Sequence, residues 1–250
     1  MSNQINELVE TINELLHMTE NDTFPHGMAR SVRQLAREAI IMTSDQEGRM
    51  QFAENPPQLK TGLHIGCGDN ILSDFTNLDL FPNKGVDVVC DAREGLPFQS
   101  GQFNKVFSEH MLEHVDYPTS TKLILSEMVR VTAPGGDVVI GVPDSSIPIK
   151  AYSSEDKSYF TELRHRWYKN RDRIQHYQFP IDLVRLVLTD EDDSRKYTPH
   201  LWAFDEPQLT ALMEEAGLVK IRRWDIDNNI SLQKRHWGSI YLQGNKPDGE

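Results

Sequence analysis

A rhythm of short apolar runs constrains this chain more than any other feature. Leu63-His64-Ile65 is followed at once by a glycine turn. Phe75–Leu80, Val86–Cys90 and Phe103–Ser108 follow as further runs, each bounded by turn residues. A helical pattern over 119–132 then sets Leu123, Ile124, Met128 and Val131 on an inward face. Pro134-Gly135-Gly136 breaks it, and Asp137–Val142 is a fifth run. Residues 206–216 place Leu209, Leu212 and Met213 inward, with Gly217 as the stop. Val219–Trp224 and Trp237–Leu242 complete the series. Runs this short read as strands, and their alternation with helices predicts a parallel sheet covered on its faces.

Two segments fall outside the rhythm. Residues 5–16 carry Ile5, Leu8, Val9, Ile12, Leu15 and Leu16 at helical spacing, opposite a polar face. A second helical pattern has Met28, Val32, Leu35, Ala36, Ala39 and Ile40 inward, and Pro56-Pro57 closes it. Residues 1–58 therefore read as a helical extension, packed on the core or serving as a substrate lid or a homodimer contact. Residues 59–250 read as one domain. Residues 145–199 are polar, aromatic and charged in blocks, and read as a lid inserted over the sheet's carboxyl end.

Charge and cysteine usage narrow the classes. The chain has 250 residues, 26 Lys+Arg against 38 Asp+Glu, and a formal net charge of −12. A phosphate-coating surface needs an excess of positive charge, so nucleic acid is not an expected partner. Two cysteines, Cys67 and Cys90, exclude a disulfide scaffold. Glu7, Glu10 and Glu14 interrupt the first apolar pattern, which argues against a signal peptide there. No apolar run approaches the ~20 residues of a membrane helix. A cytoplasmic protein with no membrane partner is the expectation.

Gly66-Cys67-Gly68 sits directly after the first strand, where bare backbone lets a ligand approach closely. Asp79 ends the second strand, placed to accept both hydroxyls of a ribose, and Asp91 ends the third. Ligands of open α/β sheets bind at these carboxyl ends. A nicotinamide or flavin turn would need another glycine where Ile71 stands.

These pieces, in order, resemble the class I, Rossmann-like S-adenosylmethionine-dependent methyltransferases. The resemblance runs through Leu63-His64-Ile65-Gly66-Cys67-Gly68, Asn77-Leu78-Asp79 and Asp91-Ala92-Arg93-Glu94-Gly95-Leu96-Pro97-Phe98. It continues through Phe103-Asn104-Lys105-Val106, Leu112-Glu113-His114, Glu127–Val131 with Pro134-Gly135-Gly136, and Phe204-Asp205-Glu206 through Leu218. It covers roughly residues 60–143 and, more loosely, 200–246. It implies a seven-stranded, mostly parallel, doubly wound α/β sheet with an antiparallel last strand.

The resemblance also implies roles. S-adenosylmethionine is the cofactor and S-adenosylhomocysteine the product. Gly66 and Gly68 shape the turn under the methionine part, Asp79 holds the ribose and Leu80 flanks the adenine. Asp91 meets the adenine amine, beside the backbone amide of Ala92. Ser108 and Glu109 face the methionyl group. His64 stands where the family carries an acidic residue and is counted with the cofactor-binding residues, and Asn70 replaces the third glycine. Thirteen positions separate Gly66 from Asp79, so the first helix must be very short.

His110-Met111-Leu112-Glu113-His114 follows the fourth strand. His110 falls just past the strand's end and is read as the catalytic base or a substrate-orienting residue. His114 is read as a buried residue holding the helix to the core, with Glu113 its partner. H-x-x-E-H also occurs in zinc proteases, but a third ligand with convincing context is lacking, so no metal is assigned. Arg164, Arg166, Lys169, Arg171 and Arg173 form a basic block beside Trp167 and Tyr168, read as a lid for an anionic acceptor. The alternative reading is a solvated helix face paired with Asp190–Asp193 or Asp172. Tyr152 and Tyr177 are read as further flat walls. Arg164, Trp167, Tyr168 and His200 are the substrate-binding candidates. The expected reaction is biosynthetic methylation of a small molecule, at a hydroxyl of a sugar-bearing or secondary-metabolite acceptor. Nitrogen or peptide methylation, and an inactive regulatory protein that binds the cofactor, stay open.

Overall fold

The computed structural model describes residues 9–12, 14–18, 26–169, 177–189 and 199–249. A single sheet of seven strands organises them: β1 (Gly62–Ile65), β2 (Phe75–Asp79), β3 (Val88–Val89), β4 (Phe103–Glu109), β5 (Thr132–Pro143), β6 (Val219–Arg223) and β7 (Ser239–Asn245). Their order is β3-β2-β1-β4-β5-β7-β6. Strands β1 to β5 pair in parallel, while β7 runs antiparallel to both β5 and β6. This is the expected doubly wound α/β sheet, and its strand order reverses at β1 and β4. That switch point opens a crevice at the carboxyl ends.

The helices are unevenly shared. Helix α1 (His26–Glu54) precedes the sheet, α2 (Thr119–Val131) joins β4 to β5, and α6 (Glu206–Glu215) precedes β6. Between them lie α3 (Ser146–Ser153), α4 (Lys157–Leu163) and α5 (Pro180–Thr189), and α7 (Gln233–His236) precedes β7. The links from β1 to β2 and from β2 to β3 carry turns and no helix. The expected very short first helix is thus absent. Helix α1 serves that flank instead. A Cβ on Gly48 would lie 2.1 Å from the Val89 carbonyl oxygen, so a glycine there lets α1 lie directly on the sheet edge. Ser44 Oγ donates to the Leu80 carbonyl at 2.9 Å.

The main core is formed by β-strand residues such as Leu63, Ile65, Val106 and Ile140, packed against Ile124, Met128, Leu209 and Met213. Leu123, expected inward, is exposed, and Leu125 is buried in its place. The pattern over α1 is also rotated. Val32, Ala36 and Ala39 are buried, but Met28, Leu35 and Ile40 face outward. Ala36 and Ala39 pack with Ile12, Val9 and Leu16 from the preceding helical residues. The insertion after β5 has a small core of its own, in which Phe160, Leu163 and Tyr168 meet Leu183, Val184 and Leu186. The expected acidic partner run 190–193, with Arg171 and Arg173, lies outside the described residues. No described helix is long and apolar enough to cross a membrane.

Candidate active site

The glycine turn leaves β1 with Gly66 at φ 70° and Gly68 at φ 50°, both in the left-handed region. A Cβ on Gly66 would strike the Met111 side chain at 2.5 Å, whereas one on Gly68 would meet nothing within 4 Å. Gly68 thus borders an open cradle. Its N–H donates to Asp79 Oδ2 at 2.7 Å, and Phe81 N–H donates to Oδ1 at 3.2 Å. These bonds fix the half-buried carboxylate at the end of β2 while each oxygen keeps a second lone pair. Leu80, the next residue, and Ala92 are half-buried. Burial, with Asp79 nearby, pushes the Cys67 thiol up to about 12, so it is a protonated apolar filler.

Three residues expected at the cofactor are placed differently. Asp91 is buried and its carboxylate is engaged: Arg93 N–H and Nε donate to Oδ1 at 2.9 and 3.1 Å, and Arg93 Nη2 stands 2.7 Å from Oδ2. Asp45 of α1 accepts from Asp91 N–H at 2.7 Å, and Arg49 donates to the Asp91 and Gly95 carbonyls. Glu109 points into the sheet layer, where Tyr241 Oη donates to it at 2.7 Å and Arg235 pairs with it at 3.1 Å. Both carboxylates are buried and occupied by these bonds. His64 is buried beside Phe107, ring centroids 5.0 Å apart. Burial and the Arg235 charge lower its pKa to about 3, so its imidazole is neutral.

Ser108 fits the crevice better. It pairs with Ile65, next to the glycine turn, and its buried Oγ has no hydrogen-bond partner among the described residues.

Beyond β4 the chain makes a strained step. His110 has φ 56°, unusual for a side chain with a Cβ. Its N–H donates to the Gly141 carbonyl, and the ring then faces a cavity of about 250 Å³. Nε2 stands 2.8 Å from Ser239 Oγ and Nδ1 3.6 Å from Glu113 Oε1. Trp167 stacks on the ring at 6.2 Å. Burial lowers the His110 pKa well below its ordinary value, and Arg235, His200, His114 and Lys234 push the same way. The imidazole is therefore neutral and able to accept a proton.

Trp167, Tyr168, His200, Tyr159, Trp237, Lys234 and Arg235 also line the cavity, and so does His114. The sequence candidates Trp167, Tyr168 and His200 are thus brought together. Arg164 is not among the lining residues; it donates to the Tyr177 carbonyl. Arg166 pairs with Glu162 and lies over the Trp237 ring. Tyr152 is exposed elsewhere. The cavity's cations come instead from Lys234 and Arg235 on α7, which sequence reasoning missed. Their signal was the basic run Lys234-Arg235-His236 between the last two strands. His114, expected in the core, faces the cavity opposite His200, with ring centroids 4.9 Å apart.

A family model described as a methyltransferase domain matches residues 31–222. The chain belongs to this methyltransferase family. Its class is the S-adenosylmethionine-dependent class I, and S-adenosylmethionine is its cofactor. A methyltransferase of Methanosarcina mazei shares 17% identity over 79% of this chain and 98% of its own, with TM-score 0.46. One from Thermotoga maritima shares 16% over 87% and 97%, with TM-score 0.40. Phosphoethanolamine N-methyltransferase 2 of Haemonchus contortus, solved with S-adenosylmethionine, shares 15% over 81% and 53%, with TM-score 0.40. No curated protein matches the sequence.

Proposed function

We propose that this methyltransferase moves the methyl group to a hydroxyl of a small, anionic acceptor held in the cavity beside His110. The observation that carries this reading is the division of labour between two adjacent residues. Met111 abuts the glycine turn, and His110 lines the cavity. Donor cradle and acceptor cavity therefore meet across one peptide.

When bound, S-adenosylmethionine supplies an electrophilic methyl group on a sulfonium. Gly66 and Gly68 present bare backbone to its amino-acid part, and the Ser108 hydroxyl lies at the same strand junction. Asp79 takes the ribose hydroxyls, and Leu80 flanks the adenine. Asp91 acts through its loop: with its carboxylate on Arg93, it positions the Ala92 backbone. His64, neutral and buried, shapes the turn from behind.

On the acceptor side, Trp167, Trp237 and Tyr159 offer flat walls suited to a sugar or aromatic ring. Arg235 is balanced by Glu109, so Lys234 supplies the net positive charge for an anionic group. His110 removes the hydroxyl proton, for which a neutral imidazole is required. Its bond to Ser239 orients the ring. Holding nucleophile and methyl group in line supplies up to roughly 7–11 kcal/mol of the barrier reduction. The described residues of the insertion act as the lid, and α1 acts as an extension packed on the sheet edge in this reading.

The test is transfer itself. The full chain is incubated with S-adenosylmethionine and a panel of small hydroxyl and amine compounds, with and without an anionic group. S-adenosylhomocysteine release is read by mass spectrometry, and its binding by calorimetry. Turnover on anionic hydroxyl compounds is expected. Turnover on amines alone would replace the oxygen assignment, and absence of S-adenosylhomocysteine binding would overturn the reading.

A further inference from the structure

We infer that Glu113, His114 and His200 form a binding site for a divalent transition-metal ion of the zinc type, at the wall of the acceptor cavity. One donor atom from each lies within 4.8 Å of the others. Two imidazoles and a carboxylate are a donor set suited to such ions. Mg²⁺ and Ca²⁺ prefer all-oxygen sites and are not expected. Metal–ligand bonds of about 2.0–2.1 Å set tetrahedral donors about 3.4 Å apart, so a contraction of at most about 1.4 Å from the 4.8 Å spread closes the set.

Three independent features prepare this convergence. The first is backbone. The Glu113 carbonyl accepts from Leu201 N–H at 2.7 Å and from Trp202 N–H at 3.2 Å, which clamps the His200 segment onto the turn carrying Glu113 and His114. Stacking of Tyr117 on Trp202 at 4.3 Å reinforces the clamp. The second is tautomer. His200 Nδ1 lies 2.9 Å from the Val187 carbonyl, an acceptor only. Nδ1 therefore carries the proton of the neutral ring, and Nε2 keeps the lone pair. A ring N–H on a backbone carbonyl is the usual support of a metal-bound histidine. The third is burial. The Glu113 side chain is 2% exposed, so its carboxylate is held in place and away from competing water.

His114 and His200 both line the cavity, so a fourth coordination position opens toward the acceptor. This role rests on the proposed hydroxyl methylation. An ion there would hold the hydroxyl oxygen and lower its pKa, as it does for bound water. The hydroxyl proton passes to His110. The oxygen lone pair forms the new O–CH₃ bond as the C–S bond breaks, and that electron pair stays on sulfur. No redox change occurs.

The experiment uses the full chain freed of metal with a chelator, then titrated with Zn²⁺ and, separately, Mg²⁺ in a calorimeter. One tight Zn²⁺ equivalent and no comparable Mg²⁺ binding are expected. His114→Ala and His200→Ala should each weaken Zn²⁺ binding by at least about 10- to 100-fold. Circular dichroism checks their folding, and Co²⁺ gives a second readout in the wild type. A visible absorption band of tetrahedral Co²⁺ is expected, and it should be lost on competition with Zn²⁺. Equal Zn²⁺ binding by folded variants and wild type, or no tight equivalent in the wild type, would overturn the site. S-adenosylhomocysteine binding by the metal-free chain is measured in parallel. Its failure strikes the proposed function and leaves the metal site standing.

Discussion

Arg235 Nη1 stands 3.1 Å from Oε2 of Glu109, a carboxylate with no exposed surface, and donates to the Glu109 carbonyl at 3.0 Å. Tyr241 and Leu232 N–H complete the set of donors to the same carboxylate. The pair ties the loop before β7 to the end of β4, one residue from His110. Glu109→Ala leaves Tyr241 without its acceptor and Arg235 with only the backbone carbonyl of residue 109. Breaking a buried pair from one side costs about 3–5 kcal/mol, and the 22% exposure of Arg235 points to the lower end. Urea denaturation should show a midpoint lowered accordingly. An unchanged midpoint would mean that the pair does not hold the loop in solution.

His110 is expected to carry the proton transfer. His110→Ala should lower kcat/KM by about 10²-fold or more with S-adenosylhomocysteine affinity retained. Because burial lowers its pKa well below 6.5, the wild-type profile should show no loss of base form between pH 8 and 6.5. A rate profile falling through pH 6.5, with the fall absent in the variant, would contradict the neutral assignment. Unchanged turnover in His110→Ala would remove the residue from the chemistry.

Asp79 and Asp91 look equivalent in the sequence but not in the structure. Asp79 keeps lone pairs toward the open side of the glycine turn, whereas the Asp91 carboxylate is spent on Arg93 and its own loop. Asp79→Asn should weaken S-adenosylhomocysteine binding by about 10- to 100-fold, the scale of one or two charged hydrogen bonds. Asp91→Asn should lower thermal stability and shift affinity much less. Calorimetry and melting curves on both variants check this, and the reverse ranking would return Asp91 to direct cofactor contact.

The parts of this architecture that local sequence encodes were the legible ones. Strand runs, the glycine turn and Asp79 each depend on neighbours a few residues away. The β3 run was overread, since only Val88 and Val89 pair at that edge. The apolar face of α1 was misread because Met28, Leu35 and Ile40 sit one step round from Val32, Ala36 and Ala39. Spacing alone does not say which flank meets the sheet. Long-range features stayed hidden for a different reason. His200 reaches His114 only because residues 201 and 202 bond to the Glu113 carbonyl. Lys234 and Arg235 line the cavity beside His110 although they lie far from it in the chain, where Arg235 is tied to Glu109.

His64 makes stability depend on pH in a defined sense. Its folded pKa, about 3, lies below the unfolded value of 6.5, because burial and the Arg235 charge both disfavour the imidazolium. The unfolded chain therefore binds the extra proton first. The stabilising contribution is fully present above pH 6.5 and is lost as pH falls toward 3. The slope is about 1.4 kcal/mol per pH unit for one such histidine. His110, shifted in the same direction, adds a parallel contribution. Between pH 6.5 and 5 most carboxylates are still ionised, so the histidines dominate the window. Urea unfolding of the wild type should weaken steadily across it. His64→Gln, which keeps a polar group of similar size, should reduce the slope by about the share of one proton. An identical slope in the variant would mean that His64 is not the group being titrated.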